Sequence, residues 1–454
     1  HVGFVLDQAN HPAPLVASRD ALPDSAMKTA KARDVSLIEL PSITHLDEAQ
    51  CERGPEVEEP KASARAITLN FITGGLGSAI FSLPWSVAGS SVITSVIIVA
   101  VVLLLNAWTI SIVVRAGERY NVFDLGGIVA NLPYCLGPPL QAMTNIFVWI
   151  SMFLCLVSYI IVIHDSAGIL VSGTWLDNRF LLVTLASMFV LPLCFLSQRL
   201  LERTSSLAIA VNVYLFVLIA MLYRRGATNG TLPEGCCIFG VTIRGNFAMV
   251  TVMFQAVIVQ MCVLPMYKDL ENRSPQKFDR IIAVGFSVLF VLFCGFSSVG
   301  YLLIGPNVNS NILEDLPKGP ASYIAQVGTI LVVSCVFPIM VCPMIAPIQD
   351  GHGTFFGLNR QSAVSIAKVL IVVAAMVAAA SVSSLGIVNV VNGAMSAMIF
   401  VALVPSTIGL ALLGLSKCHR VALVLLLIGG IIVSCMGLIF TDNYVEDLRC
   451  SIEA

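Results

Sequence analysis

Three glycines between positions 74 and 77 interrupt the first long apolar segment, in the run Thr73-Gly74-Gly75-Leu76-Gly77. Each glycine costs about 1 kcal/mol relative to alanine in a helix interior. In hydrocarbon, a freed backbone N–H or C=O also needs a polar partner. A broken membrane helix therefore implies a cavity, in which the N-terminal end of a half-helix presents N–H groups to an anionic ligand. The sequence predicts a ligand site at this break.

The composition is that of a chain embedded in a lipid bilayer. Of 454 residues, 57% are hydrophobic and 11% are charged, and the mean hydropathy is +0.90. These values are typical of a polytopic membrane protein whose main partner is the lipid bilayer. A net charge of −2 and the lack of a basic, aromatic-rich cluster give no indication of nucleic-acid binding. The 13 cysteines have no metal-ligand spacing, so neither a metal site nor a cofactor is predicted.

Hydropathy windows predict an all-α protein with about eleven transmembrane helices. An acidic segment over 1–62 precedes them and is predicted to be a disordered cytoplasmic tail. Residues 63–441 form the membrane domain, and 442–454 form a short exterior or lumenal tail. Because the chain begins at His1, we expect the natural N-terminus to be incomplete. The predicted spans are 66–91, 92–115, 140–163, 180–197, 204–223, 246–267, 281–304, 321–347, 363–382, 386–415 and 420–441.

The distribution of Lys and Arg predicts the orientation. With a cytoplasmic N-terminus, the inside loops hold eleven basic residues and the outside loops six, which agrees with the positive-inside rule. The sequon at Asn229 then lies outside and the one at Asn272 inside.

Two interruptions recur five spans apart. Leu83-Pro84-Trp85 follows the first glycine cluster, and Val263-Leu264-Pro265 follows a polar interruption in the sixth span. An odd separation predicts an inverted repeat, 66–223 and 246–415, followed by an extra helix at 420–441. The alternative is that Pro84 and Pro265 only kink continuous helices.

These motifs resemble those of the amino acid/auxin permease family. The run 77–85, GSAIFSLPW, is similar to the family's first-helix pattern, and the run 263–270, VLPMYKDL, is similar to its sixth-helix pattern. The resemblance extends from about 65 to 441. It implies the five-plus-five LeuT-like fold and proton- or sodium-coupled amino acid transport. This chain departs from the pattern at Thr73, Ala79 and Gln260, positions that bear on the coupling ion and the substrate.

The chemistry of an amino acid predicts the site. Its carboxylate would take N–H groups near Gly77, and its ammonium would take carbonyls released after Phe254. Few charges lie deep in the spans, which favours a neutral zwitterion. The predicted substrate-binding residues are Gly74, Gly77, Ser78, Ala79, Phe254, Gln255, Ala256 and Gln260.

Ion and gate residues are predicted as well. Thr73 and Ser334 are candidate sodium ligands, with a serine hydrogen-bonded to its own helix as the alternative for Ser334. Pro84 and Pro265 are predicted hinges, and Phe254 either gates the site or packs. His164 and Asp165 are either a proton-responsive pair or, as favoured here, a solvated loop pair.

The sequence therefore predicts a secondary active transporter of small, neutral L-amino acids that works by alternating access, with protons favoured over sodium as the coupling ion. It would lie in a plasma membrane or a vacuolar or lysosomal type of membrane. The alternative is an amino acid sensor with the same site and negligible flux. No span carries a catalytic constellation, so an enzyme is not expected.

Overall fold

The computed structural model describes residues 61–133, 136–175, 177–196, 205–240, 242–350, 359–382 and 384–439. They belong to one compact unit that spans 59–454. The predictions for the two chain termini, 1–60 and 440–454, lie outside the described residues. Within the described residues the regular structure is helical, apart from one isolated β-bridge between Ala62 and Leu270.

The first half of the fold begins with a helix in two pieces, joined by a 3-10 turn at Ser78–Ser82. A short helix, α4, lies between the third and fifth helices. The elements are α1 (Ala64–Gly75), α2 (Leu83–Ser90), α3 (Val92–Tyr120), α4 (Leu125–Ala130), α5 (Gly137–Leu170), α6 (Arg179–Leu193) and α7 (Ser205–Asn229).

The second half also begins with a helix in two pieces and contains a π-helical segment at Ala397–Leu403. The elements are α8 (Ile243–Ala256), α9 (Gln260–Lys268), α10 (Pro275–Ile304), α11 (Pro320–Asp350), α12 (Arg360–Ser381), α13 (Leu385–Ser396), α14 (Val404–Ala411) and α15 (Lys417–Ile439).

By length and composition, the described helices supply nine, or up to ten, of the about eleven predicted spans. Nine helical segments among the described residues are long and apolar enough to cross a membrane, counting Ile243–Lys268 (α8 with α9) and Leu385–Ala411 (α13 to α14) as one each. The pair α1 and α2, bent by 46°, passes the same test together. The apolar helix Arg179–Leu193, which overlaps the predicted span 180–197, is shorter than these. Pro192 lies in its last turn, where a proline commonly ends a helix.

The two ends of the bundle are distinguished by their contacts. At the near face, where α1 begins, Ala62 N donates to Asp269 O at 2.8 Å, and Arg115 pairs with Asp279 at 2.8 Å. At the far face, Val92 N donates to Cys237 O at 3.2 Å. Asn272 lies at the near face, between α9 and α10, and Asn229 ends α7 at the far face.

Backbone contacts hold the second broken helix in place. A Cβ on Gly245 would lie 1.7 Å from Gly89 O, and a Cβ on Gly393 would lie 1.8 Å from Thr251 O. Glycine permits this approach because it has no side chain between the helices. Helix α8 is thus clamped between α2 and α13.

Candidate functional site

The first break leaves backbone donors without acceptors. Leu76 N donates to Thr73 O at 3.1 Å, and the next backbone donor is Ile80 N, which bonds Gly77 O at 3.3 Å. The N–H groups of residues 77–79 lie between these two bonds. Among the described residues they have no acceptor in the turn.

None of the glycines at this break has a positive φ, so the backbone conformation does not require glycine here. What these glycines provide is space. A Cβ on Gly77 would meet nothing within 4 Å, whereas one on Gly75 would lie 2.6 Å from a methyl carbon of Leu289. Gly77 therefore faces open space, and Gly75 allows α10 to pack against α1.

A cavity of about 540 Å³ adjoins the first break. Its walls come from α1 and the following turn, from α5, and from the near-face parts of α7, α9 and α11. No charged side chain is among the residues that line it in the described part of the chain. Its polar side chains are those of Asn70, Thr73, Ser78, Tyr159, Asn212 and Thr329.

Two of the cavity's polar side chains are already hydrogen-bonded. Thr73 Oγ1 donates to Leu69 O at 2.8 Å, and Asn212 Nδ2 donates to Ala208 O at 2.8 Å. Thr329 Oγ1 is buried and has no hydrogen-bond partner in the structure.

The structure decides against one of the two sequence-based interpretations of Ser334. Its hydroxyl is buried without a hydrogen-bond partner, so the alternative of a serine bonded to its own helix is wrong. It also lies outside the cavity lining that contains Thr73. In this conformation the two predicted sodium ligands, Thr73 and Ser334, do not line the same cavity.

The second break is compact. Val257 N donates to Met253 O at 3.1 Å, and Ile258 N donates to Gln255 O at 3.4 Å. The carbonyls of residues 254 and 256 accept no backbone hydrogen bond from the described part of the break. The two breaks are neighbours, since Val259 Cγ1 lies 3.8 Å from a Cβ placed on Gly74.

The predicted substrate residues divide into two groups. Those from the first span, Gly74, Gly77 and Ser78, line the cavity, and Ala79 is buried beside them. Those from the sixth span lie outside its lining. They are Phe254, Gln255, Ala256 and Gln260.

The sixth-span residues have other partners. Phe254 lines an apolar groove of about 580 Å³ between α3, α8, the π segment and α15. Gln260 Nε2 donates to Asn106 Oδ1, and both residues are buried. The two prolines predicted as hinges lie at different helix positions. Pro84 is in the first turn of α2 and packs at Gly300, whereas Pro265 is in the interior of α9.

His164 and Asp165 are helical residues in the far-face part of α5, and Asp165 is 6% exposed. His164 Nδ1 lies 2.8 Å from Asp165 Oδ1, and Asn311 Nδ2 donates to Asp165 Oδ2 at 2.8 Å. The sequence-based interpretation of a solvated loop pair is therefore wrong, because α5 continues to Leu170 and Asn311, in the loop after α10, contacts the pair.

A buried polar network, missed by the sequence reasoning, joins the tenth span to the first break and to α5. Asn389 Nδ2 donates to Ser82 Oγ at 2.9 Å, and Ser158 Oγ donates to Asn389 Oδ1 at 3.3 Å. Ser151 Oγ donates to Asn392 Oδ1 at 2.8 Å. Two asparagines three residues apart in an apolar span were the available signal, because such residues usually face the interior of a bundle.

Solved structures define the fold. The inward-facing conformation of Mhp1 matches with a TM-score of 0.55 at 12% identity, covering 86% of this chain and 91% of that one. A manganese transporter from Eremococcus coleocola matches with a TM-score of 0.54 at 10% identity, covering 84% and 86%. The chain therefore has a LeuT-like transporter fold.

Residues 60–441 match the model of the transmembrane amino acid transporter protein family, and the chain belongs to that family. The amino acid transporter AVT6E of Arabidopsis thaliana is 26% identical over 60% of each chain. Vacuolar amino acid transporter 6 of Saccharomyces cerevisiae is 24% identical over 64% of this chain and 66% of its own. This chain thus spans about 60 to 66% of the length of these two relatives. Sodium-coupled neutral amino acid symporter 2 of Danio rerio is 21% identical over 81% of this chain and 80% of its own.

Proposed function

We propose that the chain is a secondary active transporter of small, neutral L-amino acids that operates by alternating access around its two broken helices. The observation that carries the proposal is the cavity at the first break, which combines unpaired backbone N–H groups with a lining free of charged side chains among the described residues. Unpaired N–H groups at the start of a helical turn bind a carboxylate. The names of the relatives, which are amino acid transporters, agree with it.

The proposed binding mode satisfies both charges of the substrate. The carboxylate accepts hydrogen bonds from the N–H groups of residues 77–79. The ammonium donates to carbonyls released at the end of α1 and, once the breaks close on the substrate, to those of Phe254 and Ala256. A side chain charged at neutral pH would have no counter-charge in this cavity, and an isolated charge at membrane depth is costly.

The proposed coupling ion is the proton. No carboxylate lines the cavity beside Thr73 within the described residues. A sodium ion is a hard cation that prefers several oxygen ligands, commonly including a carboxylate. The proposed orientation has the near face in the cytoplasm, from the excess of Lys and Arg in its loops. The membrane would be a plasma membrane or one of vacuolar or lysosomal type.

Uptake into proteoliposomes tests this function. Purified full-length protein is supplied with each radiolabelled amino acid while sodium and pH gradients are imposed separately. We expect concentrative uptake of small neutral amino acids driven by the pH gradient. Uptake that requires sodium and ignores the pH gradient would overturn the proposed ion, and specific binding without any flux would support an amino acid sensor instead.

A further inference from the structure

Asn389 is a buried residue of α13 whose side-chain amide contacts two different elements. The residue is fully inaccessible to solvent. Its Nδ2 donates to Ser82 Oγ at 2.9 Å, and Ser158 Oγ in α5 donates to its Oδ1 at 3.3 Å. A buried amide costs free energy unless its donor and its acceptor are both hydrogen-bonded. Asn389 meets this condition by connecting the turn of the first break to α5.

Ser82 is the last residue of the 3-10 turn at the first break. The turn spans Ser78–Ser82, and the unpaired N–H groups of residues 77–79 lie at its start. The hydrogen-bond geometry of a 3-10 turn is poorer than that of an α-helix, so its backbone bonds alone stabilise it weakly. The hydrogen bond from Asn389 therefore stabilises the turn at the end opposite to its unpaired N–H groups.

The residues that Asn389 contacts adjoin the cavity wall. Ser158 directly precedes Tyr159, which lines the cavity, and Ser78 and Phe81 of the turn line it as well. Asn389 itself is not among the residues that line the cavity. It therefore acts on the cavity through the turn and not by contact with a ligand there.

The next asparagine of α13 has a different set of contacts. Asn392 Oδ1 accepts from Ser151 Oγ at 2.8 Å, and its Nδ2 donates to Ser151 O at 3.1 Å. The same Nδ2 lies 3.5 Å from Cys155 Sγ. These partners all belong to α5, so Asn392 joins α13 to α5 without contacting the turn. It has the same residue type as Asn389 and is equally buried, which makes it a matched control.

The helix that carries Asn389 also lies against the second broken helix. Gly393 follows Asn389 by four residues, so both lie on one face of α13. A Cβ on Gly393 would lie 1.8 Å from Thr251 O and 3.3 Å from Gln255 Cβ. Helix α13 thus contacts both the turn with the N–H groups and the helix that ends at Ala256. Its position relates the donors to the acceptors proposed for the two charges of an amino acid.

We propose that Asn389 is a positioning residue for the substrate, which orients the 3-10 turn of the first break so that its N–H groups bind the carboxylate. A hydrogen bond weakens steeply as its angle departs from linearity, and ordering a segment on binding costs affinity. A turn that is already oriented therefore binds more tightly. This inference rests on the proposed function and adds to it a residue that does not touch the substrate.

Hydrogen exchange tests whether Asn389 stabilises the turn, and it needs no substrate. Deuterium uptake by the peptide 76–83 is followed by mass spectrometry in the purified full-length protein. Asn389→Leu and Ser82→Ala each remove the hydrogen bond, so exchange in this peptide should become about tenfold faster. Ser82→Ala removes a single oxygen atom and gives the answer if Asn389→Leu does not fold. Asn392→Leu should lower the melting temperature and leave exchange in the turn unchanged.

Substrate affinity tests the consequence for binding. The Kd values for radiolabelled alanine, serine and glutamine are measured on the same proteins, because a Kd does not depend on how much of the sample is folded. We expect Kd to rise by about tenfold in Asn389→Leu and in Ser82→Ala. The double variant should bind no more weakly than Asn389→Leu, since both substitutions act through one hydrogen bond. Asn392→Leu should bind like the parent.

Three results would overturn the inference. The first is unchanged exchange of the turn in Asn389→Leu and Ser82→Ala, and the second is a parental Kd in both variants despite faster exchange. The third is an equal effect of Asn389→Leu and Asn392→Leu on the turn and on Kd, which would indicate general packing. If the turn responds as expected but the parent binds none of the amino acids, the proposed function fails while Asn389 still anchors the turn.

Discussion

The break in the first span contains three glycines and faces a cavity, whereas the break in the sixth span contains none and is enclosed by packed helices. A Cβ on Gly77 would meet nothing within 4 Å. Behind the second break, Gly393 of α13 lies directly against the backbone at Thr251. The first break thus leaves space for a ligand, and the second is supported from behind by its neighbours.

The difference teaches that one sequence feature, a broken membrane helix, serves two structural purposes here. At the first break, missing side chains expose backbone donors to the cavity. At the second, side chains hold the helix ends, as the hydrogen bond between Gln260 and Asn106 shows. Substitutions at the first break should therefore affect binding more than stability, and substitutions around the second should do the reverse.

The largest expected effect is on folding, from Gly393→Ala. The added methyl group would lie 1.8 Å from Thr251 O, so α13 must move away from α8. Overpacking of this kind costs about 1–3 kcal/mol, and more when backbone is displaced. We expect a lower melting temperature in detergent and little folded protein. Gly414→Ala, where a Cβ meets nothing within 4 Å, is the control and should melt like the parent. Equal melting of the two variants would contradict the packing at the second break.

The next effect is on binding, from Gly77→Leu. The side chain enters the space beside the unpaired N–H groups, so amino acid uptake should fall by at least about tenfold, or ~1.4 kcal/mol of binding. The melting temperature should stay near that of the parent, because no protein atom lies within 4 Å of the new Cβ. Unchanged uptake would contradict the proposal that the substrate carboxylate binds at this break.

A smaller effect concerns the side-chain contact at the second break. Gln260→Leu leaves Asn106 Oδ1 buried without its donor, which costs about 1–3 kcal/mol of stability. The double variant with Asn106→Leu should recover part of that loss, because both polar groups are then gone. A thermal-stability double-mutant cycle measures the coupling. Strictly additive losses would show that the hydrogen bond contributes nothing.

The smallest effect is expected from Ser334→Ala. The serine hydroxyl is buried without a hydrogen-bond partner, so its removal should be neutral or stabilising by up to about 1 kcal/mol. Proton-driven uptake should be unaffected. If uptake is driven by sodium and this variant abolishes it, Ser334 is an ion ligand in another conformation.

The sequence predicted the order of the spans and the first break well, because both depend on local properties. Apolar runs of the length of the bilayer define the spans, and the glycine cluster marks the break. It could not predict that Phe254 faces an apolar groove instead of the cavity, since both positions are equally apolar in a hydropathy window.

The error at His164 and Asp165 has a different cause. The predicted third span stops at 163, but α5 extends to Leu170. Hydropathy falls at the first charged residue, whereas the helix continues because a loop 146 positions later supplies a donor to the carboxylate. Such a long-range contact leaves no trace in the local sequence.

Two backbone hydrogen bonds at Ala62 join the chain just before α1 to the chain just after α9. Ala62 N bonds Asp269 O, and Glu271 N bonds Ala62 O at 3.0 Å. A swing of α1 alone must first break these two hydrogen bonds.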